Sequence, residues 1–194
     1  MGSTKSLRLA LWVMVALCVA IFAYVQFSSR ATMAIDFGAP FKLTSTTGGE
    51  VDSTKLKGAA YGIFFGFTQC PEVCPTTLND MSVALKELGE PAKNFRIFFI
   101  TVDPDRDTVE VVRQYISSFD PRIEGLIPTD QELQKIAHDY HIYYKKVATK
   151  DGGYTMDHTA TLFLIDANGR LKSTVSFDED KASRMKKLKV LLGG

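Results

Sequence analysis

Only three cysteines, three histidines and one tryptophan occur among the 194 residues. So few cysteines exclude a multi-disulfide framework, which needs several spaced pairs. A charge surplus is also missing, with 23 Lys and Arg against 22 Asp and Glu. Without a basic excess to meet phosphates, no nucleic-acid partner is expected. The sequence contains no internal repeat and no low-complexity segment. It does have a hydrophobic fraction of 45%, ordinary for a chain with a real core. The length suits one domain plus a short appendage.

Charge is absent altogether from residues 9–27, a run of 19 in which only Gln26 is clearly polar. At about 1.5 Å per residue a helix of that length covers about 28 Å, close to the hydrocarbon thickness of a bilayer. Trp12 and Tyr24 stand near its two ends, where amphipathic rings favour the interface. Lys5 and Arg8 precede it. The positive-inside rule then keeps residues 1–8 in the cytoplasm and exports the chain beyond Arg30. A cleaved signal peptide is the alternative, but its apolar core is shorter and no convincing small-x-small cleavage site comes after this run. Val15-Ala16-Leu17 is a poor lipoprotein box, so Cys18 reads as a passive anchor residue. The first six residues fit a myristoylation pattern that an anchor would make unnecessary. The expected organisation is a cytoplasmic tail (1–8), a transmembrane anchor (9–27), a linker (28–40) and one globular domain (41–194).

Within that domain, residues 41–45 and 50–52 flank Thr47-Gly48-Gly49 and suggest a hairpin. Residues 60–68 and 95–102 read as buried central strands, uncharged or nearly so. Pro75 suits the first turn of a helix, along which Leu78, Met81, Leu85 and Leu88 recur, with Gly89 to end it. Asp107 with Glu110, and Thr129 with Glu132, each predict a capping box. Val112, Tyr115, Ile116 and Phe119 form one inner helical face, and Leu133, Ile136, Ala137 and Tyr140 the next. Residues 159–165 and 171–175 form a hairpin about Asn168-Gly169, and Met185, Leu188 and Leu192 mark a last helix. Helices alternating with apolar strands, closed by a hairpin, predict an α/β fold, a mixed sheet flanked by helices.

The chemistry centres on Thr68-Gln69-Cys70-Pro71-Glu72-Val73-Cys74-Pro75, at the turn from the first central strand into its helix. A helix N-terminus offers free N–H groups and partial positive charge, which stabilise thiolates. Thiolates are soft ligands that favour Cu(I), with zinc also open, and they are the nucleophiles of disulfide exchange. A plain disulfide stapling the turn is the structural alternative, although so short a loop removes little unfolded-chain entropy. His158 stands at the mouth of a strand after a Gly152-Gly153 loop, from which it can swing toward the cysteines as a third ligand. A solvated loop histidine is the plainer reading. Asp157 can orient His158 or meet a partner, and Met156 can pack or ligate. His138 and His141 lie three apart, but His138 is off the apolar stripe and reads as a surface residue. Asp103 and Asp107 can line the site, contact a partner, or serve only capping and turns.

Taken together, Phe67-Thr68, Cys70-Pro71-Glu72-Val73-Cys74-Pro75, Val102-Asp103-Pro104 with Arg106-Asp107, and Asp157-His158-Thr159 resemble the Sco/SenC family of copper proteins. The resemblance runs in order from about residue 35 to residue 192, besides the N-terminal anchor. It implies a thioredoxin-like fold and copper, as Cu(I) or Cu(II), on Cys70, Cys74 and His158. It implies a role in assembling the dinuclear copper centre of cytochrome c oxidase subunit II, or in reducing the cysteines of that subunit. A copper donor protein and a thioredoxin-like reductant would be further partners. Glu72 stands where Asp is common in the family and Thr159 where Ser is common, and neither is a ligand.

Two other activities fit the cysteine pair. A thiol-disulfide reductase would use Cys70 and Cys74 alone, although thioredoxin-type pairs are separated by two residues rather than three. A thiol peroxidase would need Thr68 and an arginine beside Cys70, and no arginine stands out. The short N-terminal tail suits a bacterial inner-membrane protein facing the periplasm. A mitochondrial inner-membrane protein facing the intermembrane space is the alternative.

Overall fold

The computed structural model describes residues 3–32 and 37–193 and divides into two compact units, Met1–Asp36 and Phe37–Gly194. The first is one helix, α1 (Ser3–Thr32). The anchor expected at residues 9–27 lies in it, and the side chains of 9, 10 and 25–27 fall outside those described. Among the described residues no helix is long and apolar enough to cross a membrane.

The second unit opens with the expected hairpin, β1 (Lys42–Ser45) and β2 (Glu50–Asp52). Next come β3 (Tyr61–Gly66), α2 (Val73–Leu88), β4 (Arg96–Thr101), α3 (Val109–Ile116), β5 (Ile123–Ile127) and α4 (Asp130–Asp139). The chain ends with β6 (Tyr144–Ala148), β7 (Tyr154–His158), β8 (Thr161–Ile165), β9 (Leu171–Ser176) and α5 (Lys181–Leu191). Seven strands form one mixed sheet in the order β2-β1-β5-β4-β3-β8-β9. Its centre, β5-β4-β3, is parallel, with Phe64 opposite Phe99 and Ile97 opposite Ile123. Parallel neighbours need crossovers, which α2 and α3 supply. Every residue of β3 is buried, and β4 is buried except at Arg96. Such runs are unalternating because both faces of a central parallel strand are covered.

Three local expectations change. Asp107 does not cap α3: Thr108 is the N-cap, accepting from the Val111 amide, while Asp107 turns inward. Strand β5 is an addition to the expected elements, since Ile-Glu-Gly-Leu-Ile carries a charge; Glu124 is buried there by an ion pair with Arg96 and bonds from Ser45 and Thr47. The Gly152-Gly153 segment is the turn of a hairpin, β6 with β7, which forms a separate two-stranded sheet. Its lysine-rich first strand is largely exposed and gives no apolar alternation to read. The Thr129–Glu132 capping box is present in full, and Gly89 closes α2 at φ 59°.

Candidate metal centre

Strand β3 ends at Gly66, and the chain turns through residues 67–72 into α2. The turn is closed by the Cys70 amide donating to the Phe67 carbonyl at 3.2 Å. Cys74 lies in the first turn of α2, fully buried, and its amide donates to Cys70 Sγ at 3.3 Å. Gly66 is required beneath it: a Cβ there would lie 2.9 Å from Cys74 Sγ and 2.7 Å from Phe99 Cε2. Both cysteines are free thiols, Cys70 half-buried.

The two sulfurs share one proton unequally. The Cys74 thiol donates to Cys70, joined by the Cys74 and Glu72 amides, and these bonds hold Cys70 down to about 4 against the opposing effect of burial. Cys74 is pushed up, because it supplies the proton of that bond and because it is buried. Cys70 is therefore the thiolate at neutral pH and Cys74 the thiol.

His158 ends β7, opposite Tyr144. Its Nδ1 lies 3.1 Å from the Thr159 carbonyl oxygen. A carbonyl only accepts, so Nδ1 carries the proton and Nε2 keeps its lone pair. Nε2 lies 3.7 Å from Cys74 Sγ. The Phe67 ring stands perpendicular to the imidazole, with centroids 5.6 Å apart. The two Sγ atoms and a ring nitrogen of His158 all fall within 4.8 Å of one another. Ligand bonds of about 2.0–2.3 Å span donor pairs up to about 4.6 Å apart, so this set closes on one ion with little movement. Two sulfurs and a neutral imidazole form a soft donor set suited to copper or zinc.

The other expected residues sit differently. His158 is on a paired strand rather than a swinging loop, and the Thr159 carbonyl faces its Nδ1, in the orienting place expected for Asp157. Asp157 is exposed and opposite Lys145. Met156 is buried in the core. His138 is 86% exposed beside Asp139, and His141 is exposed at φ 51°. Asp107 is fully buried and accepts from the Thr68 amide (3.0 Å), the Thr68 hydroxyl (2.5 Å) and the Thr101 hydroxyl (2.6 Å). Asp103, also fully buried, accepts from Arg106 and from the Tyr154 hydroxyl at 2.9 Å. Neither carboxylate presents a surface to a partner. Thr68, needed by a peroxidase, has given its hydroxyl to Asp107. In the sequence Arg106 stands out only through the Arg106-Asp107 part of the resemblance, and nothing there announces that it meets Tyr154.

The SCO1/SenC family model matches residues 29–193. A SCO2-like protein of Rickettsia prowazekii is 37% identical over 138 residues, covering 70% of this chain and 67% of that protein. The mitochondrial SCO1 homologue of Homo sapiens is 36% identical over 135 residues, covering 68% of this chain and 45% of that one. Among solved structures, Bradyrhizobium japonicum ScoI with copper bound is 44% identical and superposes with a TM-score of 0.73, covering 80% of this chain and 99% of its own.

Proposed function

The chain belongs to the SCO1/SenC family, and from that premise we propose that it is a copper metallochaperone, holding copper on Cys70, Cys74 and His158 for assembly of the dinuclear copper site of cytochrome c oxidase subunit II. The observation that carries this reading is the convergence of three soft donors, two sulfurs and a ring nitrogen, within 4.8 Å. The copper-bound ScoI structure supports copper over zinc. When bound, copper would be held chiefly by the two sulfurs, with the imidazole completing the set. Cys74 loses its proton on binding, since the metal replaces it between the sulfurs. Cys70 and His158 are only partly buried while Cys74 lies beneath them, so an incoming thiolate of the target meets the rim ligands first. Release by stepwise ligand exchange is the consequence of that layering.

The same reading places the domain outside a bacterial inner membrane, in the periplasm, held by residues 9–27 as a single anchor. The uncharged run, its flanking Lys5 and Arg8, and its helical conformation support this. Carbonate extraction of membranes and protease protection test it: a protein released by carbonate, or a domain shielded on the cytoplasmic side, would overturn it.

Copper binding is tested by anaerobic Cu(I) titration of the reduced protein against a chromophoric competitor. One tightly held Cu(I), weakened at least about tenfold by His158→Ala, is the expected result. Affinity indifferent to His158 would sink the three-ligand site.

A second reading has its own observation, a partly exposed Cys70 whose sulfur accepts the Cys74 amide, with Cys74 buried behind it. The Cys70 thiolate can attack a disulfide of subunit II, forming a mixed disulfide and releasing one target thiolate. Cys74, once deprotonated, then attacks Cys70 Sγ, forming the Cys70–Cys74 disulfide and releasing the second. A reductant of the thioredoxin-like kind would restore the dithiol. Failure of the reduced protein to reduce a subunit II disulfide, with Cu(I) binding intact, would leave the chaperone role alone.

A further inference from the structure

The loop after β4 touches both halves of the metal centre. On one side Asp107 holds the backbone of Thr68, and the Arg106 Nη1 donates to Gln69 Oε1 at 3.1 Å, beside Cys70. On the other side the same Nη1 donates to the backbone carbonyl of Tyr154 at 2.8 Å, at the start of the strand that ends in His158. The guanidinium lies 3.7 Å over the Tyr154 ring centre, its Nε donates to Asp103, and the Tyr154 hydroxyl donates to that same carboxylate.

We propose that Arg106 is a positioning residue that fixes His158 against the cysteines by bridging Gln69 to the Tyr154 carbonyl. Its consequence for copper rests on the reading of Cys70, Cys74 and His158 given above; its consequence for the imidazole does not. The reason lies in the hairpin. Strands β6 and β7 pair only with each other, and an isolated two-stranded hairpin is marginal in water. Its place therefore depends on tertiary ties. At the base Thr159 and Tyr143 exchange two bonds of 3.0 Å, but these join the hairpin's own two strands and do not tie it to the rest of the domain. Along its length the other charged tie is Lys146 with Asp105, both about half exposed, and such surface pairs contribute little. Arg106 is 21% exposed and its partner Asp103 not at all, so its charge-assisted bonds carry more. Arginine is needed because a planar fork can serve several acceptors while stacking on a ring. A lysine ammonium could neutralise Asp103 but could not also reach Gln69 and the Tyr154 carbonyl from the same geometry.

The test uses Arg106→Lys, which keeps Asp103 paired, and Gln69→Ala, which removes one end of the bridge at an exposed residue. The decisive readout, in the reduced metal-free protein, is the nuclear Overhauser contact between the His158 and Phe67 rings. Loss of that contact in Arg106→Lys, and its weakening in Gln69→Ala, with the amide spectrum of the central sheet unchanged, is the expected result; a contact retained in both overturns the proposal. Cu(I) affinity should fall about tenfold in Arg106→Lys, yet change by less than about twofold when the substitution is made on His158→Ala. A fall undiminished on that background would mean that Arg106 does not act through His158 and overturns the proposal too. Should His158→Ala bind Cu(I) as tightly as the wild type, the copper reading fails, and the ring contact still decides the role of Arg106.

Discussion

The carboxylate of Asp107 accepts both the amide and the hydroxyl of Thr68, at 3.0 and 2.5 Å, across 39 residues of sequence. This couples the end of β4 to the turn that carries Cys70, and a third bond from Thr101 makes the carboxylate a buried hub.

Asp107→Ala would strand three donors, the buried Thr101 hydroxyl and the part-buried amide and hydroxyl of Thr68, the first costing about 1–3 kcal/mol when left unpaired and the other two less. A loss of several kcal/mol in denaturant unfolding is expected, together with weaker Cu(I) binding as the turn loosens. Thr108→Ala, by contrast, removes only the α3 N-cap, for about 1 kcal/mol, and leaves Cu(I) affinity unchanged. Equal costs for the two would show that Asp107 serves the helix rather than the turn.

Gly66→Ala should damage the site from below. The new methyl group meets Cys74 Sγ and the Phe99 ring at distances real contacts do not show. Overpacking of about 1–3 kcal/mol results, read as a lowered thermal midpoint, with displacement of Cys74 read as a weakened Cu(I) affinity. A variant as stable as the wild type would mean that the helix start yields freely.

The thiols should differ sharply in reactivity. With Cys70 held down to about 4, alkylation of the reduced metal-free protein should label Cys70, and its rate should be flat from pH 6 to 8 and fall only as pH approaches about 4. Cys74, pushed up and fully buried, should stay unlabelled in the folded state. Mass mapping of the labelled peptide checks both statements.

The same shift has a consequence for stability. The Cys70 thiol is near 9 when unfolded and about 4 when folded, so folding releases its proton between those values. Its contribution is fully present above about 9 and diminishes steadily as pH falls toward the folded value, below which it is lost. Chemical denaturation of wild type and Cys70→Ser at pH 5 and pH 7 checks the sign: the difference should be larger at pH 7.

The chain by itself determined its central strands and placed its cysteine pair at a strand-to-helix turn. The apolar runs of residues 60–68 and 95–102, the second interrupted only by Arg96, read as covered strands, and cysteines at the strand-to-helix turn fall where free amides favour a thiolate. Helix signals written locally, such as Thr129 with Glu132 and Gly89, also read correctly, because caps involve residues three or four apart. Only the tertiary structure decided the rest. That Asp107 turns inward and Thr108 caps depends on Thr68 and Thr101 arriving from other strands. That Glu124 can sit in a buried strand depends on Arg96, Ser45 and Thr47. That His158 is held rather than swinging depends on the pairing of β6 with β7 and on Arg106 meeting Tyr154 from 48 residues away. Local pattern fixes what a segment prefers; the partner of a buried charge or of an unaccompanied hairpin exists only once distant segments have folded together.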